Sequence, residues 1–172
     1  MATPVLRLIV GLLLLLAPAR VFAAYEVGFY AHELGSSFPH AFFTVKGRPD
    51  GGGAEVDTNY GFTAKNVTPA ILMGPVAGII EQAKPGYIRS SKRHFSVTVD
   101  DAGYARLMAV VADWRGRGPR SYDLNRANCV HFIGEAARAT GLRVDFPKKL
   151  MKRPRSYLLH ILSLNPQVKP AQ

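Results

Sequence analysis

The chain has one cysteine, Cys129, in 172 residues. That excludes an intramolecular disulfide and leaves the fold to be held by its core. Acidic residues are scarce: 12 Asp and Glu stand against 22 Lys and Arg, for a formal charge of +10. Such a balance favours anionic surroundings (lipid headgroups, acidic cell-wall polymers, nucleic acid) without choosing among them. The chain also lacks an apolar run of the ~20 residues that span a bilayer. With no second cysteine and no close histidine pair, metal-ligand spacing is missing, and neither a metal nor another cofactor is expected. No internal repeat is visible.

What is present begins with a leader. Arg7 precedes the apolar run from Leu8 to Leu16, and Pro18 breaks it, which is the order of a secretory signal. Val21-Phe22-Ala23 places an aliphatic residue at −3 and a small one at −1, so cleavage is expected after Ala23. Residues 24–172 would then form a single domain of ordinary size, exported to the periplasm or beyond the cell. Removing Arg7 and Arg20 with the leader takes the formal +10 to +8. An exported protein usually pairs its thiols or avoids them, so a lone cysteine is inert and buried, shared between chains, or reactive for a purpose.

Strand-like stretches run from Tyr25 to His32 and from His40 to Lys46, both aromatic and β-branched, and a third alternates from Ala54 to Phe62. The glycine-rich loop 47–53 between the last two suggests a hairpin. Thr68 to Ile80 is apolar but broken by Pro69, Gly74, Pro75 and Gly78, which favours a short helix or covering loop over a long helix. A further strand is expected from Arg93 to Val99, then a helix capped by Asp100 or Asp101 and running to about Arg115. Its stripe is Tyr104, Leu107, Met108, Val111 and Trp114. A second helix is expected from Asn128 to Thr140, stopped by Gly141. The tail carries Lys148, Lys149, Lys152, Arg153 and Arg155 before a short apolar helix over Ser156 to Leu164. The whole reads as α+β.

Chemistry concentrates at Asn128-Cys129-Val130-His131. Asn125 or Asn128 can cap the helix, placing Cys129 in its first turn. There, free N–H groups and the helix dipole favour an anion, so the thiol is expected to be more acidic than an ordinary one. The same N–H groups could hold the oxyanion formed when sulfur attacks a carbonyl. A base is also required. His131 is nearest in sequence, but two residues along a helix is a rotation of about 200°, so it points away from Cys129. His40 opens a strand on the face it shares with Phe42 and Thr44, and from there could reach the helix start. His32, His94 and His160 are less well placed, at a strand end, before a strand and in the tail.

The order of Phe38-Pro39-His40-Ala41-Phe42-Phe43, Tyr60-Gly61-Phe62 and Asn128-Cys129-Val130-His131-Phe132 resembles the circularly permuted NlpC/P60 (papain-like) group of thiol enzymes. In that group the histidine strand precedes the cysteine helix. The resemblance runs from about Tyr25 to Leu142. It implies an antiparallel sheet packed on the helix that carries Cys129, with Cys129 as nucleophile and His40 as base. It also implies a third polar residue on the strand after the histidine strand. Asp57 and Asn59 share that face, and Asn59 is preferred as the nearer to His40 in a tight hairpin.

These readings make the expected reaction acyl transfer through a thioester. The resemblance makes cell-wall peptides the first substrate, with lipid acyl groups as the second. A different class, an envelope-binding module with an inert Cys129 and a basic tail on an anionic surface, remains open. No nucleic-acid partner is expected, since the basic residues are not interleaved with aromatics.

Overall fold

The computed structural model describes residues 24–33, 38–50 and 52–171. The expected leader, residues 1–23, lies outside the described residues. Five strands form one sheet: β1 (Ala24–His32), β2 (His40–Arg48), β3 (Val56–Ala64), β4 (Gly78–Glu81) and β5 (Lys92–Val99), in the order β4-β3-β2-β1-β5. All neighbouring pairs are antiparallel. β1 and β2 pair from Ala24 opposite Arg48 to His32 opposite His40, and β2 pairs β3 from Phe42 opposite Gly61 to Gly47 opposite Val56. Antiparallel pairing puts directly opposed residues on one face. His40, Phe42 and Thr44 therefore share a face with His32, Tyr30, Gly61 and Asn59, while Ala41, Phe43 and Val45 point to the other.

That second face is the core. Ala41, Phe43 and Val45 are fully buried with Val27, Phe29 and Phe95 beneath two long helices, α3 (Asp101–Gly116) and α4 (Cys129–Ala139). Asp100 caps α3, its carboxylate accepting from the Gly103 N–H at 2.7 Å, and Leu107, Val111 and Trp114 bury the expected stripe. Phe132 of α4 meets Phe43 at 5.7 Å between ring centroids. Trp114 lies edge-on to Phe62 and Phe132, at 4.6 and 5.5 Å, and its indole N–H donates to Glu135 at 2.6 Å. The tail helix α5 (Pro154–Leu164) buries Tyr157, Leu158 and Ile161 in the same core. Gly134 lets α5 approach α4: a Cβ there would sit 2.3 Å from the Tyr157 hydroxyl and 2.5 Å from Phe146.

Two short helices, α1 (Ala70–Met73) and α2 (Pro85–Arg89), lie between β3 and β5. The apolar stretch from Thr68 to Ile80 holds α1, as its breakers indicate, but also carries the edge strand β4. Pro75 precedes that strand, so no ladder donor is lost within it. α2 has no counterpart in the periodicity, being too short to show a face. His94 lies inside β5, at a bulge where the register with β1 shifts between Phe29 and Tyr30. Among the described residues, no helix is long and apolar enough to cross a membrane.

Candidate active site

Cys129 is the first residue of α4. Asn128 is the cap: its side-chain oxygen accepts from the N–H of Val130 at 2.8 Å and of His131 at 3.3 Å, while its amide nitrogen donates to the carbonyls of Leu124 and Met151, both at 2.8 Å. All four contacts are made by a side chain with 3% exposure, so the helix start is firmly located. The cap is reciprocal, since the Asn128 N–H approaches His131 Nδ1 at 3.4 Å. His131 is thereby committed to the cap and stacks near Phe146, with ring centroids 6.2 Å apart. It is no base for Cys129, as the helical rotation requires.

The backbone N–H groups of Ala41, Val130 and Cys129 itself favour the thiolate. Burial opposes them and is the larger effect, pushing the thiol up to about 11. The expectation of an unusually acidic thiol is therefore corrected: at 6% exposure, loss of hydration outweighs the helix start. Tyr87 and Tyr122 stand close enough to feel a charge on Cys129. Burial first, and that charge second, push the Tyr87 phenol up to about 12 and raise that of Tyr122.

His40 comes to this point in a particular way. Its imidazole lies on the sheet face turned away from α4, over Gly61, where a Cβ would meet His40 Nε2 at 2.6 Å. It is the Ala41 N–H, in the peptide that follows His40, that favours the Cys129 thiolate. No hydrogen bond joins the imidazole and the sulfur among the described residues. Burial, with His32 contributing, pulls His40 down to about 4, so its imidazole is neutral at physiological pH.

Asn59 is not brought to His40. It stands opposite Thr44, two same-face positions further along the hairpin than the end that holds His40. Both ends of its amide are engaged with one backbone, the nitrogen donating to the Ala83 carbonyl at 3.1 Å and the oxygen accepting from the Ala83 N–H at 2.6 Å. Its work is to hold the segment leading into α2. Asp57 is further still, opposite Lys46 and paired with it at 3.6 Å on the surface. The polar side chain that stands directly across from His40 is His32, on the preceding strand. His32 Nδ1 lies 3.1 Å from Ser91 Oγ, and its ring stacks on Tyr87 at 4.3 Å. Phe42, 1% exposed, packs between Tyr30 and Tyr87 at 5.2 and 5.8 Å. The sequence signal for His32 was its place at the end of the strand paired with β2, which only the β1–β2 register converts into contact.

The other histidines stand apart. His160 Nε2 lies 2.6 Å from Asp145 on the surface, and His94 is buried in the β5 bulge with Nε2 unpartnered. Among the described residues, no group of three or more His, Cys, Asp or Glu side chains is placed to hold a metal ion.

No family model and no curated protein matches this sequence. Among solved structures, the fold is similar to that of the type VI secretion system effector TseH, with a TM-score of 0.51 and 15% identity, over 84% of this chain and 90% of that one. At that identity the likeness concerns the fold: an α+β arrangement of an antiparallel sheet with helices packed on it.

Proposed function

We propose that the protein is an exported cysteine hydrolase of the permuted papain-like kind, acting on amide bonds of cell-wall peptides. The observation that carries the reading is the position of Cys129: first residue of a capped helix that packs, through Phe132 on Phe43, against the strand His40 opens. The likeness in fold to a secretion-system effector is in keeping with it.

In this reading the resting pair is a neutral thiol and a neutral imidazole, not an ion pair. Proton transfer then accompanies attack: the His40 ring swings from its place over Gly61 toward the start of α4 and takes the thiol proton as the Cys129 sulfur bonds to the acyl carbon. The backbone N–H groups at the start of α4 steady the oxyanion. Collapse expels the amine, which leaves with the proton from His40, and His40 next draws a proton from the water that hydrolyses the thioester. His32, across from His40, takes the orienting place that the resemblance gave to a polar residue of the following strand, Asn59 in preference to Asp57, and Tyr87 holds His32 by stacking.

The test is digestion of purified peptidoglycan fragments and, in parallel, of lipid esters, by the wild type and by Cys129→Ala, read by mass spectrometry. Peptide cleavage lost in the variant is the expected result. Cleavage of the esters alone would move the substrate to lipid acyl groups, and intact substrates in both panels would remove the hydrolase reading. The deep burial of Cys129 favours a second reading, a non-catalytic envelope module in which the thiol is a core residue. That reading predicts no products in either panel.

A further inference from the structure

The segment before β4 presents apolar side chains to solvent that nothing in the fold uses. α1 stands between Pro69 and Gly74, and its Leu72 and Met73 are 80% and 89% exposed, with Val67 just upstream at 58%. Isolated exposed apolar residues need no explanation, but these are adjacent and have a charged neighbour. The residues of α1 form one wall of a cleft of ≈ 180 Å³ whose other wall is Asp123 to Asn125, and Lys152 lines it as well. Lys152 belongs to a group of exposed cations with Lys148, Lys149 and Arg153. None of the four is in an ion pair among the described residues, whereas Arg155 beyond them is paired with Glu33 at 3.2 Å. The one acid of the cleft, Asp123, is turned to the backbone, accepting from the N–H groups of Asn125 and Arg126 at 2.7 and 3.2 Å.

We infer that α1 and residues 148–153 together form a docking surface for an anionic phospholipid bilayer. Apolar side chains flanked by lysines and arginines match the interfacial zone, where the former enter the acyl boundary and the latter meet headgroup phosphates. The charge complementarity is what selects this occupant. A soluble anionic polymer would engage the cations but leave Leu72 and Met73 in water, and an apolar protein surface would leave four unpaired cations without partners. Because the second wall of the cleft leads through residues 126–128 into Cys129, docking there would turn the start of α4 toward the membrane. The inference concerns binding and stands whether or not the hydrolase reading does.

The experiment uses the full chain with vesicles of phosphatidylcholine alone and of phosphatidylcholine with phosphatidylglycerol, some carrying a photoactivatable phospholipid. Sedimentation should show binding to the anionic vesicles that falls as salt rises. Leu72→Ser/Met73→Ser should weaken it roughly tenfold or more. Lys148→Ser/Lys149→Ser/Lys152→Ser should abolish the preference for the anionic lipid. Both sets of side chains are exposed, so the fold should tolerate the changes. Light-induced adducts should map to the peptide spanning residues 66–84. No binding, binding by both variants equal to that of the wild type, or adducts confined to residues 1–46 would overturn the inference. The last result would assign membrane contact to the leader region.

Discussion

Cys129 and His40 are displaced in opposite directions by the same cause. Burial disfavours whichever form is charged, raising the pKa of a thiol and lowering that of an imidazole. A measurable consequence is that alkylation of Cys129 by iodoacetamide should be slow at pH 7 and should climb about tenfold per pH unit toward pH 11. A plateau reached below pH 8 would show that the start of α4 outweighs burial. For His40 the folded value, about 4, lies below the ordinary 6.5, so the unfolded chain binds the extra proton between these limits. Stability is then full above pH 6.5 and falls as pH drops toward 4, by as much as about 3 kcal/mol from this residue. His94 and His131 are shifted in the same direction, again chiefly by burial, and steepen the loss. Urea unfolding at pH 7.5 and 4.5 should reveal it, and His40→Gln should reduce the difference between the two pH values without removing it. Gly61 sets where the His40 ring can lie. Gly61→Ala should leave the fold intact, because a ring can swing where backbone could not, yet displace Nε2. An unchanged His40 titration in the NMR spectrum of that variant would contradict this placement.

At the scale of elements, the position of Cys129 depends on a cap rather than on the helix interior. Asn128 holds two N–H groups of α4 and ties the preceding loop and the Met151 carbonyl to the same point. Asn128→Ala removes the cap and leaves buried donors and acceptors unpaired, for an expected loss of about 2–4 kcal/mol in denaturant unfolding. Asn128→Asp keeps the acceptor but loses the two donated bonds and should recover only part. A loss under 0.5 kcal/mol for the alanine variant would mean that solvent replaces these contacts. Asn59 does for the β4–α2 connection what Asn128 does for α4, by closing two bonds on Ala83. Both asparagines are buried, and both define the surroundings of the site from outside it.

Across the whole molecule, one aromatic cluster joins the sheet to the helices. Trp114 bridges Phe62 of β3 and Phe132 of α4, donates to Glu135, and carries the Arg117 guanidinium over its ring at 3.6 Å. Trp114→Ala should cost about 3–5 kcal/mol, the range for emptying a large aromatic site, and should lower the thermal midpoint by several degrees. A small effect would imply that the helices collapse into the space. The same cluster seats α4, so part of any lost activity in that variant should return on cooling.

Much of this architecture is legible in the residues. The strands beginning at Tyr25 and His40, the stripe of α3 and the start of α4 behind Asn128 all depend on local periodicity and capping, which a linear sequence records. The short pieces β4 and α2 do not, because four or five residues carry too little period and are stabilised by the neighbours they meet. The candidate site divides along the same line. That Cys129 opens a helix, and that His131 faces elsewhere, are matters of local geometry. Strand register, by contrast, is a long-range property: it stands His32 across from His40 and moves Asn59 to Ala83. The protonation of Cys129 is likewise set by enclosure, since the free N–H groups of a helix start are local but the water they compete with is removed by elements distant in the chain.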